Sequence, residues 1–135
     1  MIKYLLVICL LTSCAVTWTP VQDPTAITLI NRGQLMTRTL YDRIIASDTV
    51  KAYAPYQMEY ANIHKVIDEL LKINSQRDKA KKLLIITEAI KERMYRYEMD
   101  HTGRMLNNTE LSVYKDYMDV LWKNLFTAES SLKTF

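Results

Sequence analysis

The sequence predicts an all-α fold, an up-down helical bundle of about four helices. Three observations predict it. The chain has only two glycines and three prolines among 135 residues, too few turn-formers for many short strands. Apolar residues recur at spacings of three and four along most of the chain after residue 25, as one buried helical face requires. Polar breaks in that pattern fall near residues 47–49, 74–75 and 100–108. A long helical hairpin that completes its core by oligomerising is the alternative architecture.

The first helix is expected over 25–46, with Thr25 as N-cap after Pro24. Its stripe is Leu29, Gly33, Met36, Leu40 and Ile44, flanked by Ala26, Ile30 and Ile45. Gly33 within the stripe costs about 1 kcal/mol against alanine. It either admits another helix closely or is merely tolerated. Ser47-Asp48-Thr49 ends the pattern and offers caps.

The second helix follows to about Ile73. Tyr53, Tyr56, Tyr60, Ile63, Ile67 and Leu70 line one face. Pro55 must lie in the first turn, because it lacks an amide proton and clashes inside a helix. Ser75 with Asp78 three residues on resembles a capping box with Asp for Glu. A third helix to about Met99 carries Ala80, Leu83, Thr87, Ile90, Met94 and Tyr97. After the break at 100–108, Asn107 and Glu110 form another capping-box variant. The last helix carries Leu111, Tyr114, Met118, Leu121, Leu125 and Ala128, and frays toward Phe135.

The first residues follow a different plan. Met1-Ile2-Lys3 precedes an apolar run from Tyr4 to Leu11, and then come Thr12-Ser13-Cys14. One cation, a short apolar stretch and small residues before a cut site are the parts of a secretory signal peptide. The run is shorter than the roughly 20 residues a membrane span needs. Leu11-Thr12-Ser13-Cys14 resembles the lipobox of bacterial lipoproteins: an aliphatic residue, two small residues and the cysteine that becomes the new N-terminus. The resemblance covers the first 14 residues, and the single lysine of the n-region is its one departure.

The resemblance implies cleavage before Cys14 and a diacylglycerol on its sulfur, which gives three regions. These are a signal peptide over 1–13, a lipidated tether over 14–24 and a helical domain over 25–135. Cys9 is discarded with the leader, so the mature chain has no thiol for a disulfide, a nucleophile or a thiolate metal site. Ala15 follows the cysteine, and by analogy with enterobacterial sorting this implies the outer membrane, periplasmic side. Pro20 and Pro24 keep the tether extended, with a reach of roughly 35 Å. Trp18 sits in the headgroup layer or folds back onto the bundle; both remain open.

Charge and motifs point away from several chemistries. The net charge is +3, too weak to argue for nucleic acid. Glu98-x-x-His101 matches half of a di-iron motif, but the other histidine, His64, has no glutamate three residues before it. The pair is expected to be surface chemistry, with no metal. No G-x-S-x-G or glycine-rich phosphate loop occurs. No catalytic residue, cofactor or small-molecule substrate is assigned. The run from Arg77 to Lys82 reads as a solvated helix start or a contact with anionic headgroups. Asp48-Thr49-Val50 resembles a short O-glycosylation acceptor of some Gram-negative envelope proteins.

Tyr53, Tyr56 and Tyr60 are ambiguous. Buried tyrosine needs a partner for each hydroxyl, whereas an interface favours tyrosine for the same amphipathic character. They are named as possible partner-binding residues, with core as the other reading. The functional expectation is a lipid-anchored, periplasm-facing envelope protein that acts by binding a protein partner. A phage- or plasmid-borne lipoprotein, spanin-like or an entry-exclusion factor, is one alternative. An envelope hydrolase is the other.

Overall fold

The computed structural model describes residues 21–47 and 51–133. The leader, Cys14, Trp18 and the acceptor-like Asp48-Thr49-Val50 lie outside the described residues. Among the described residues four helices follow one another: α1 Pro24–Ala46, α2 Gln57–Ser75, α3 Lys81–Gly103 and α4 Asn108–Ser130. A 3-10 turn, Ala54–Tyr56, leads into α2. Both α1 and α3 pack against α2 and α4. Short connections therefore produce an up-down bundle with one shared core, and no oligomer is needed to close it. No described helix is long and apolar enough to cross a membrane.

The predicted stripes are the core. Leu40, Ile44, Ile63, Ile67, Leu70, Ile90, Met94, Leu111, Met118 and Leu125 are all at most 1% exposed. Met36 and Leu121 are only half-buried and pack at its edge. Gly33 faces Trp122, which is fully buried. A Cβ at residue 33 would lie under 3.0 Å from three indole carbons. The missing side chain is therefore the seat of the indole. Trp122 Nε1 donates to Thr37 Oγ1 at 3.1 Å, and that hydroxyl donates to the Gly33 carbonyl at 2.8 Å. One glycine, one threonine and one tryptophan thus join α1 to α4 with every polar group satisfied.

Three boundaries differ from the sequence expectation. The N-cap of α1 is Asp23, whose carboxylate accepts from the Thr25 and Ala26 amides at 2.7 and 3.2 Å. Pro24 is the first helical residue, where its missing amide proton costs nothing. The Ser75–Asp78 box does not form. Ser75 is the last residue of α2, and its hydroxyl returns to the Lys72 carbonyl. Asn74 and Arg77 point inward, so the chain turns through 76–80 with Lys79 in the left-handed region at φ 61°. At the other end of α3, the helix runs through Asp100 and His101 to Gly103. The Asn107–Glu110 capping box forms in both directions at 2.9 Å.

The first described residues are fastened to the last. Gln22 donates to the Lys133 carbonyl at 3.0 Å. The Asp23 amide donates to Glu129 Oε1 at 2.7 Å. Glu129 is fully buried and receives both guanidinium arms of Arg77, at 2.7 and 2.9 Å. Arg77 also donates to the Val21 carbonyl and to Asn74 Oδ1. Arg77 is thus a clamp across three chain segments, which corrects the reading of residue 77 as part of a solvated run.

Candidate functional site

At the opposite end of the bundle, α2 and α3 bring the tyrosines and both histidines together. Residues 53, 56, 60 and 64 follow one another at spacings of three and four, so they rise along one face of the turn and α2. Glu98 and His101, three apart on α3, meet that face. Tyr53 Oη donates to Glu98 Oε1 at 2.7 Å, and His64 Nε2 donates to Glu98 Oε2 at 2.5 Å. His101 Nε2 lies 2.8 Å from the Lys51 carbonyl. A carbonyl only accepts, so this nitrogen carries the proton. In the neutral ring Nδ1 then accepts from Tyr60 Oη at 3.0 Å. Three tyrosine rings surround the imidazole: Tyr56 stacked at 6.2 Å, Tyr53 edge-on and Tyr60 tilted, both at 5.8 Å.

This arrangement corrects two expectations. His101 is 1% exposed and Glu98 is largely covered, so the Glu-x-x-His pair is interior rather than surface chemistry. Tyr60 is fully buried and Tyr56 is 6% exposed. As an outward docking face the stripe does not hold for these two; Tyr53 alone stays half-buried. The buried-hydroxyl problem is solved by partners on another helix, Glu98 for Tyr53 and His101 for Tyr60, which lie 45 and 41 residues away in sequence.

A second aromatic layer lies beside the first. Tyr97 and Tyr114 stack at 3.8 Å with planes 6° apart, and Tyr41 meets Tyr114 edge-on at 6.5 Å. Tyr114 donates to Asp100, which also pairs with Arg104. Tyr41 is fully buried beside Tyr60. Its hydroxyl is the one buried side-chain polar atom among the described residues with no hydrogen bond of ordinary geometry.

The electrostatics follow from burial and carboxylates. Burial, then the hydrogen bond to Glu98 and its charge, push the Tyr53 hydroxyl up to about 12. Burial, then the bond to Asp100, do the same to Tyr114, also to about 12. Burial raises Tyr60 and Tyr41 further still. The Tyr114 hydroxyl, with Arg104, holds Asp100 below the usual carboxylate range. The phenols therefore stay protonated and act as donors.

The cluster's chemistry is that of a fastening. Each histidine proton is directed to an acceptor, a carbonyl for His101 and a carboxylate for His64. Neither ring bonds a serine, threonine or cysteine among the described residues. No group of three metal-ligating side chains occurs among them. What the bonds hold is the chain between α1 and α2: Lys51 through its carbonyl, and through its ammonium on Ile45 and Asn108, and Tyr53 through Glu98.

Sequence reasoning missed Tyr41, Trp122, Glu129 and the clamp role of Arg77. For Tyr41 and Trp122 a signal existed: each lies next to a stripe position, Leu40 and Leu121, on a face wider than the strict stripe. For Glu129 no local signal existed. Comparison with protein-family models, with curated proteins and with solved structures finds no match to this chain.

Proposed function

We propose that the chain is a lipid-anchored protein of the bacterial envelope, held at the outer membrane through Cys14 and facing the periplasm. Its bundle acts by binding, as a structural or adaptor part of an envelope assembly. The observation that carries the anchor is Leu11-Thr12-Ser13-Cys14 directly after a short apolar run. Two acyl chains are about what stable attachment needs. The fold is compatible with such a role. The bundle closes its own core without a thiol, and its first described residues are bonded to Arg77, Glu129 and Lys133. A pull on Val21 would run directly into the clamp.

The test is fractionation of cells that express the full chain, with mass analysis of the N-terminal peptide. Cys14→Ala should leave the membrane fraction or stay unprocessed, and Cys9→Ala should change neither. Membrane attachment with an acylated N-terminal peptide in Cys14→Ala would sink the reading.

A further inference from the structure

We propose that the end of the bundle bearing Lys72, Lys79, Lys81, Lys82 and Lys133 docks on an anionic phospholipid surface. Most cations of the described residues are already occupied. Elsewhere on the bundle, Arg38, Arg43, Lys91, Arg96, Arg104, Lys115 and Lys123 pair with carboxylates. Arg93 lies over the Tyr97 and Tyr117 rings, and Lys51 is bonded to a carbonyl and an amide. Arg77 is spent on Glu129. Among the described residues, the cations left without an anion, a ring or a hydrogen bond are the five named lysines together with Arg32 and Lys65.

The five share one end. Lys72 is in the last turn of α2, Lys79 is in the α2–α3 turn, and Lys81 and Lys82 open α3. Lys133 follows α4 and pairs its backbone with Val21 and Gln22. Four of them, Lys72, Lys79, Lys81 and Lys82, are exposed, and so is Lys133. Asp78 is the exposed carboxylate among them, Asp68, paired with Lys91, and Glu69 lie exposed one turn before Lys72, and Asp23 is turned to its own helix as N-cap.

This placement is locally unfavourable for the fold. Positive charge at a helix N-terminus opposes the dipole. Here α3 has no acidic residue in its first turn and no side-chain cap. Lys79 occupies a left-handed backbone position that favours glycine. Local rules broken together on an exposed surface are a mark of use.

Position agrees with charge. The chain enters the bundle at this end, through Val21. On the anchor reading, which this inference takes as its starting point, seven residue-to-residue steps separate Val21 from the lipidated cysteine. Their reach is at most about 25 Å. The lysine end is then the membrane-facing end, and the Tyr–His cluster lies a further ~34 Å away along α1.

The experiment is lysine footprinting of the full processed chain by acylation and mass spectrometry. The chain is reconstituted in vesicles of phosphatidylcholine alone or mixed with phosphatidylglycerol. Docking predicts that phosphatidylglycerol slows acylation of Lys72, Lys79, Lys81, Lys82 and Lys133, leaves Lys65 unchanged, and loses its effect in high salt. In the triple variant K79Q, K81Q, K82Q, protection of Lys72 and Lys133 should fall too, at about fivefold weaker docking per lysine removed. Equal labelling in both vesicles overturns the inference. A chain that washes off the neutral vesicles overturns the anchor reading instead. Docking is then judged on phosphatidylglycerol vesicles alone, where retention with the same protection supports it and no retention overturns it.

Discussion

The two ends of the bundle close by different chemistry. At the end where the chain enters, one arginine and one fully buried glutamate join residues 21, 23, 74, 77 and 129. At the other end, hydroxyls and imidazoles bond one another, a backbone carbonyl and the Glu98 carboxylate among stacked rings. The charged clamp is directional and unforgiving, because a lone buried carboxylate is costly. The aromatic end spreads its stability over many contacts, each of modest worth. The difference teaches where the molecule resists force and where it tolerates adjustment. The clamp lies beside the chain's point of entry, and the softer network holds the α1–α2 connection.

The comparison can be broken most easily at the clamp. Arg77→Ala leaves Glu129 buried without its cation, and should destabilise the bundle by about 3–5 kcal/mol. Urea unfolding measures this directly. A loss of under about 1 kcal/mol would mean the pair behaves like an exposed ion pair, and the contrast between the ends would fall.

A smaller effect separates the ends by pH. The folded state holds the Tyr53 proton up to about 12, against an ordinary value of 10.0. A raised folded pKa contributes stability that is full below the unfolded value and lost as pH rises through the folded one. Stability should therefore decline between pH 10 and 12. Tyr53→Phe should make this alkaline limb shallower, by up to about 2 kcal/mol after allowance for partial exposure. The readout is the urea midpoint across that range. An identical limb in wild type and variant would place the alkaline sensitivity elsewhere.

The finest test lies within the aromatic end. Tyr60→Phe removes the donor to His101 Nδ1 and strands a buried acceptor, at about 1–2 kcal/mol. Tyr41→Phe removes a hydroxyl that lies beside Tyr60 without a hydrogen bond of ordinary geometry, and should be neutral or slightly stabilising. Equal losses in the two variants would show that Tyr41 is bonded after all, and would remove the asymmetry between two adjacent buried phenols.

What the sequence determined by itself is local. The 3.6-residue period places Leu83, Thr87, Ile90, Met94 and Tyr97 on one face whatever they pack against, and all five are buried. The Asn107–Glu110 box needs only residues three apart, and it forms as read. Gly33 read either as a close approach or as mere tolerance, and the indole packed against it decides for the former. Tertiary structure decided which polar groups go inside. Tyr60 was legible as stripe, yet its choice between core and interface depended on His101, 41 residues on. Glu129 looks like any exposed carboxylate until Arg77, 52 residues earlier, is folded against it. The same clamp turned Asn74 and Arg77 inward and displaced the expected cap at Ser75. Burial of a polar side chain depends on a partner, and a partner on another helix leaves no periodic trace in the segment that needs it.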